Sequence, residues 1–192
     1  MPSPTHRRSD RRRAGGLTTI ELMITIAVVA ILMGVGVPSF RYVTNANRTS
    51  AEVNGLLGDL QFTRAEAIKE GQTVTACVSQ DGQNCTAGDT NWQDGWIVFS
   101  DVNNTQKIDN AGDVILRVQK PFTSSDTFTG GNGVSAVTFN REGYASNVPN
   151  GSLITLYTTP VNSTWTRCVS ITTVGLMATA IYNAPTPGGP CT

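Results

Sequence analysis

The segment from residue 16 to residue 38 reads GLTTIELMITIAVVAILMGVGVP, and it decides the fold. Its apolar part, residues 17–37, has 21 residues. As an α-helix it would be about 31 Å long, close to the hydrocarbon thickness of a bilayer. Five arginines precede it, at positions 7, 8, 11, 12 and 13. Arginines on this side predict a transmembrane segment with a cytoplasmic N-terminus, and everything after Pro38 on the outer side. A secretory signal fits less well because its apolar core is usually shorter, and a twin-arginine signal fits less well because the residues after Arg11-Arg12 do not match it.

Glu21 is the one ionisable residue within this apolar run. An unpaired ionisable group inside a membrane costs on the order of several kcal/mol, so its presence indicates a function. Cleavage after Gly16 would create an α-amine at Leu17, one helical turn before Glu21. The carboxylate of one copy would then neutralise the amine of a neighbouring copy. The pattern therefore predicts helices that associate in register.

The run from Gly16 to Glu21, with the apolar segment after it, resembles the prepilin signal of type IV pilins and type II secretion pseudopilins. The resemblance implies that a prepilin peptidase cuts after Gly16 and methylates the amine of Leu17. It makes Glu21 the fifth mature residue, with a role in subunit assembly, and Pro38 the position of a helix bend. The sequence departs from the usual pattern in having Leu17 where Phe is common and Thr19 where Leu is common.

Charge and composition argue against two other classes of function. Residues 1–16 hold five of the 14 basic side chains and one of the 14 acidic ones, which leaves nine basic and thirteen acidic residues and a net charge of −4 in the remaining 176. An acidic body disfavours a binder of the phosphate backbone. The only histidine is His6, so the body lacks the commonest general base and metal ligand. We expect neither an enzyme nor a resident metal or cofactor.

The sequence between Ser39 and Glu70 is amphipathic and continues the helix. Its stripe of mostly apolar residues follows helical spacing and predicts packing on the domain that follows, with a short coiled coil as the alternative. Gly71 is the expected C-cap. The stripe consists of Val53, Leu56, Leu57, Leu60, Arg64, Ala67 and Ile68. We therefore expect a leader peptide at 1–16, a helix at 17–70 that is transmembrane over 17–37, and a periplasmic domain at 71–192.

Residues 71–192 alternate between short β-prone runs and turn signals, which predicts one or two antiparallel sheets packed on the helix, an α+β fold. Residues 101–113 and 123–133 are expected to be exposed loops. The predicted strands are Gln72–Ser79, Gly95–Ser100, Val114–Gln119, Val134–Phe139, Leu153–Thr158, Arg167–Thr172 and Leu176–Tyr182.

All four cysteines lie in the part expected outside the cytoplasm, where an even number indicates disulfides. Sequence alone allows three pairings. Local closure favours Cys77 with Cys85 and Cys168 with Cys191. A zinc site is the rival, but the closely spaced pairs typical of zinc ligands are absent from the sequence.

Two further features have a structural and a functional interpretation. The stretch from Asp101 to Asp113 carries oxygen side chains that could bind calcium, but Gly112 occupies the place of the EF-hand glutamate, and turn formation is favoured. Trp96 is expected in the core. Trp92 and Trp165 have polar neighbours and are candidates for exposed interface residues, although packing is favoured for them too.

The segments RAEAIKEG (64–71), VTAC (74–77), WIVFSD (96–101) and ILRV (115–118) resemble the GspH/FimT group of minor pilins and minor pseudopilins. The resemblance implies a type IV pilin-like fold and a minor pilin, a low-abundance structural subunit near the filament tip that helps initiate assembly with other minor and major pilins. The alternatives are a minor pseudopilin of type II secretion and a DNA-binding minor pilin for natural transformation. DNA is unexpected as a partner, because the Gly-Arg-x-Arg motif of DNA-binding relatives is replaced by Gly175-Leu176-Met177-Ala178.

Overall fold

A computed structural model describes residues 16, 18–146, 148, 152–159, 161, 162 and 164–181 of the chain. One long helix, α1 (Thr19–Glu70), is followed by short strands. The chain divides into two compact units, Met1–Val43 and Thr44–Thr192. The strands are β1 (Val74–Val78), β2 (Trp96–Ser100), β3 (Ile115–Gln119), β4 (Thr127–Gly130), β5 (Ala136–Phe139), β6 (Ala145–Ser146), β7 (Ser152–Tyr157), β8 (Arg167–Ile171) and β9 (Met177–Ile181).

The first unit contains the N-terminal part of α1, and the side chains that the structure describes there are exposed. By length and composition the helix is apolar enough to cross a membrane, with a mean hydropathy of 2.5 over its most apolar window and none of that window buried in the protein. Large apolar side chains are exposed all along it, from Ile20 to Val43. Side chains that are apolar on every side of a helix require an apolar environment around the whole helix.

The C-terminal part of α1 is the spine of the second unit. Every third or fourth residue is buried, and these residues pack against the sheets, so the core-packing prediction is confirmed over the coiled-coil alternative. The buried helix residues are Thr49, Val53, Leu56, Leu60, Thr63 and Ala67. The prediction for Ile68 was wrong, because its side chain is 51% exposed. Gly71 is confirmed as the cap: its φ is +68° and its N–H donates to the carbonyl of Ala67 at 3.0 Å.

Two antiparallel sheets pack with the helix, as the α+β prediction requires. The first has the strand order β3-β2-β1-β5-β6 and the second β4-β7-β8-β9. One core cluster joins α1 to both sheets through residues such as Leu60, Val98, Phe139, Ile154 and Val169. Trp96 belongs to this cluster, as predicted.

All five residues of β1 and of β2 are buried, because both faces of the first sheet are covered. On the outer face, Ile108 from the loop 101–113 packs against the cluster of Cys77, Ile97, Phe99 and Ala136. The carboxylate of Asp101 accepts a hydrogen bond from the hydroxyl of Thr75 at 2.8 Å, and the amide of Gln106 donates to Thr138 at 3.2 Å. The segment 101–113 is a loop, as expected, but its base is bound to the sheet.

A disulfide joins Cys77 in β1 to Cys85, as predicted, with Cα atoms 5.6 Å apart. Closing a loop of this size stabilises a fold by about 2–3 kcal/mol in the chain-entropy account. Because these two thiols are bonded to each other, a zinc site made from all four cysteines is excluded. Cys168 is buried in β8, while Cys191 lies outside the described residues, so their pairing stays a prediction.

The expectation of an exposed loop over residues 123–133 was wrong in part, whereas the packing favoured for Trp92 is confirmed. Within the expected loop 123–133, residues Thr127–Gly130 form β4, which pairs with β7 and buries Phe128 completely. Trp92 is also fully buried, and its indole N–H donates to the carbonyl of Val134 at 2.9 Å. The polar sequence of β4 concealed this strand, because threonine and glycine suit turns as well as short strands.

A cluster of three charged side chains, Arg48, Glu52 and Asp126, lies where the helix of the second unit contacts the segment before β4. Arg48 of α1 donates from Nε to Asp126 at 2.9 Å and from Nη2 at 3.0 Å, and the Asp126 side chain is fully buried. Glu52, one turn further along α1, accepts a hydrogen bond from Ser124 at 2.9 Å. Its Oε2 is buried without a hydrogen-bond partner among the described residues. Burial, with the negative charge of Asp126 nearby, raises the pKa of Glu52 above its ordinary value of 4.5, although Ser124 and Arg48 oppose the shift.

We predict that Glu52→Gln stabilises the protein at about pH 7. An acid whose pKa is raised by folding stabilises the folded state fully below its unfolded pKa, and this contribution is lost as the pH rises through the folded pKa. Glutamine carries no charge at this position, and its amide can donate a hydrogen bond. A hydrogen bond of this kind stabilises the folded state by about 1 kcal/mol. Thermal unfolding of the full chain in detergent should show a higher Tm for the variant at about pH 7 and a smaller difference at about pH 4.

The matched control is Glu142→Gln on an exposed turn, where Arg141 lowers the pKa of the glutamate. This control should not raise the Tm at about pH 7. The assignment of a buried charge would be contradicted by a Glu52→Gln variant with a lower Tm than the parent at about pH 7, if the Tm difference also did not shift in favour of the variant as the pH rises.

Candidate functional site

The first candidate site is the start of α1. Gly16 is exposed and Leu17 lies outside the described residues, so the cleavage position stays a prediction. The helix begins at Thr19, and the backbone N–H of Glu21 donates to the hydroxyl of Thr18 at 3.3 Å. A threonine followed three residues later by glutamate is the capping-box pattern, which marks a helix N-terminus. The residues expected to form the assembly signal therefore also start the helix.

Glu21 is exposed in the first turn of α1. Among the described residues, its carboxylate has neither a hydrogen bond nor an ion pair. The N-terminal end of a helix carries a partial positive charge, which stabilises a carboxylate in the first turn. An amine one turn earlier would increase the positive charge there. This end of the helix can therefore hold a carboxylate that pairs with a cation.

The helix is continuous through Pro38, where the sequence predicts a bend. Proline removes one backbone donor and favours bending of a helix. The Pro38 side chain lies outside the described part of the chain, and the bend stays a prediction.

The second candidate site is the β8–β9 turn, at the position where DNA-binding relatives carry arginines. The N–H of Gly175 donates to the carbonyl of Thr172 at 2.9 Å and closes the turn. Leu176 follows with 64% of its side chain exposed, and Met177 is half-buried against the core. The turn therefore presents an apolar surface where those relatives present positive charge.

Arg64 of α1 contacts this turn and a second one. Its Nε donates to the carbonyl of Gly143, in the β5–β6 turn, at 2.9 Å. A Cβ at Gly175 would overlap with the carbonyl oxygen of Gly143 and lie 2.9 Å from Nε of Arg64. Nearby, the N–H of Ala145 donates to the carbonyl of Thr173 at 2.9 Å and joins the two sheets. Arg64 therefore lies where the helix meets both sheets.

The helical spacing predicted Arg64 on the packing stripe but indicated no partner for it. The available signal was a charged side chain at a position where the spacing expects an apolar one. The role of Asp59 was missed altogether. Its carboxylate accepts from the indole N–H of Trp96 at 2.9 Å and from Arg117 at 2.8 Å, which fastens the helix to β2 and β3.

The two remaining candidates are the loop 101–113 and Trp165. The carboxylate of Asp101 accepts from the N–H groups of Thr105 and Gln106, both at 2.9 Å. That of Asp113 accepts from three backbone N–H groups, at 2.8–3.1 Å. Carboxylates bound in this way stabilise a turn, the interpretation that the sequence favoured over calcium. Trp165 is half-buried, so it is neither a core residue nor a fully exposed anchor.

We predict that Gly175→Ala destabilises the protein more than Gly88→Ala. The two glycines have φ values of +76° and +74°, so alanine suffers similar backbone strain, about 1 kcal/mol, at both. Only Gly175 has close neighbours, whereas Gly88 faces open space. Overpacking should add about 1–3 kcal/mol at Gly175, measured by thermal unfolding. Equal losses at the two positions would contradict the close contact between the turns.

Comparisons with known proteins agree with this architecture. Two crystal structures of the type IV minor pilin FimU from Pseudomonas aeruginosa have a similar fold at 17% identity. One has a TM-score of 0.53 and covers 80% of this chain and 99% of FimU; the other has a TM-score of 0.50 and covers 78% and 98%. Comparison with curated protein sequences gives no significant match.

The model of the family described as type II transport protein GspH matches residues 52–175, about two thirds of the sequence. The chain therefore belongs to the GspH family, whose members are pilin-like structural subunits rather than enzymes.

Proposed function

We propose that the chain is a minor pilin, a low-abundance subunit near the tip of a type IV pilus that helps to initiate filament assembly. It is inserted in the bacterial inner membrane with its N-terminus in the cytoplasm and its β-rich domain in the periplasm. A prepilin peptidase removes residues 1–16 and methylates the amine of Leu17. The mature helix then leaves the bilayer and packs among the helices of other pilins.

The observation that carries this proposal is an apolar helix of membrane-spanning length, exposed on all sides, whose first turn holds Glu21. Burying apolar surface is worth about 25 cal/mol per Å². A helix apolar on every side is stabilised equally by lipid chains or by neighbouring helices. Such a segment is suited to move from a bilayer into a bundle of similar helices.

Glu21 supplies the specificity that apolar contacts lack. After cleavage every copy carries an amine at Leu17 and a carboxylate one turn later. Unit charges about 4 Å apart attract by about 1 kcal/mol in water and about 4 kcal/mol at an effective dielectric of about 20. Sliding one helix along another breaks the pair and leaves both charges in an apolar environment. The ion pair therefore selects one register between neighbouring subunits.

A minor pseudopilin of type II secretion is the second candidate. It is favoured by the family description, which names a type II transport protein. The fold likeness to a minor pilin favours the pilus. The two functions use the same helix and the same Glu21, so they differ only in the filament that contains the chain. Detection of the chain in sheared pili, or in secretion filaments alone, decides between them.

We predict that Gly16→Ala blocks maturation. The peptidase requires the small flexible residue before the cut, so the variant should stay in the membrane at precursor size. Immunoblotting of membranes and N-terminal sequencing of the chain measure this. Gly55→Ala, at an open position of the same helix, is the control and should mature normally. Normal processing of the Gly16 variant would contradict the predicted cleavage site.

We predict that Glu21→Ala leaves processing intact but lowers incorporation into filaments by at least about tenfold, because the ion pair is lost. The measurement is the amount of mature chain in sheared filaments relative to the amount in membranes. Glu142→Ala, which removes an exposed acid of the domain, is the control and should incorporate normally. Equal incorporation of the Glu21 variant and the parent would contradict the charge-pair mechanism.

A further inference from the structure

A groove of about 410 Å³ lies between α1 and the start of β9. Its lining comes from the helix, the β8–β9 turn and the first residue of β9: Gln61, Arg64, Ala65, Ile68, Gly175, Leu176 and Met177. We call it the Arg64 groove. All of its lining residues belong to the second unit.

Arg64 brings unused hydrogen-bond donors to this groove. Its Nε is bound to the carbonyl of Gly143, which fixes the guanidinium between the two turns. Neither Nη1 nor Nη2 has a hydrogen-bond partner among the residues that the structure describes, and no carboxylate there forms an ion pair with it. A guanidinium held by one nitrogen presents a preorganised fork that matches a carboxylate.

Beside Arg64 and Gln61, the rim of the groove is apolar and largely exposed. Leu176 is 64% exposed and Ile68 51% exposed, while Met177 is half-buried beside them. A lone cation among aliphatic side chains matches a ligand with one anionic group and an apolar group next to it. Interface anchors commonly combine an arginine with apolar contacts in this way.

We propose that the Arg64 groove docks a segment of a neighbouring filament subunit, with a carboxylate on Arg64 and an apolar side chain against Leu176 and Ile68. This rests on the proposed function, because it requires that the chain is a filament subunit. Charge complementarity identifies the occupant. The partner supplies a carboxylate for Arg64, because none of the described residues forms an ion pair with it. A nucleic acid fits poorly, since a phosphate backbone is bound by several cations and here the turn carries leucine and methionine.

The first test maps the occupant directly. A photo-crosslinking amino acid replaces Leu176 in the full chain, expressed in its bacterial host, and replaces Val114 as the control. Val114 is 55% exposed but lies next to β3, at the other sheet. We expect a crosslink from position 176, not from 114, to another subunit with a prepilin signal, identified by mass spectrometry. A crosslink to residues 182–192 of the same chain, a crosslink to DNA, or none in assembled filaments would overturn the proposal.

The second test addresses the charge of the partner. With the photo-crosslinker at Ile68, Leu176→Asp should lower the crosslink yield by about tenfold, because it places a like charge beside the partner's carboxylate. Leu176→Lys removes the same apolar contact without that repulsion and should lower the yield by less than about threefold. Because position 176 is exposed, both variants should keep the parent Tm. Equal losses would overturn the carboxylate assignment.

The outcomes separate this proposal from the proposed function. If Glu21→Ala fails to enter filaments while Leu176→Asp enters them normally and position 176 gives no crosslink, only the groove proposal fails. If Gly16→Ala and Glu21→Ala both enter filaments normally, the proposed function fails.

Discussion

The structure depends on the burial of apolar surface by one helix in two different environments. In the second half of α1, residues such as Leu56 and Leu60 are fully buried beneath two sheets of the same chain. In the first half, side chains from Ile20 to Val43 are exposed, and none of the most apolar window is buried by the protein. Since exposed apolar surface of this extent is unfavourable in water, lipid or other chains must supply the missing contacts.

Charged side chains determine how the second half of the helix is held. Three charged residues along α1 bind different parts of the sheets. Arg48 binds the segment before β4, and Asp59 binds β2 and β3. Arg64 binds the β5–β6 turn. Hydrogen bonds to charged groups contribute about 1.5–3 kcal/mol each and are directional, unlike apolar contacts. They fix the rotation of this part of the helix relative to the sheets. Residues 44–70 and the sheets therefore act as one body in any assembly.

The sequence was sufficient for features with strong periodicity or chemistry. The packing stripe, the Gly71 cap and the Cys77–Cys85 disulfide follow from spacing, from local loop closure and from the expected compartment. It was insufficient where a few residues owe their structure to distant partners. The strand β4 is too short and too rich in threonine and glycine to be recognised, and it forms because β7 pairs with it. Likewise, Asp59 resembles a solvated surface acid until the fold brings Trp96 and Arg117 to it.

The most direct test is the chemical identity of the first residue of the wild-type chain, recovered from membranes and from sheared filaments. Intact-mass and N-terminal fragment analysis measure it. The account predicts that the chain begins at Leu17 with a methylated amine, so that a positive charge stands one turn before Glu21. A chain in filaments that still begins upstream of Leu17 would lack this charge, and the explanation of an acid in an apolar helix would be contradicted.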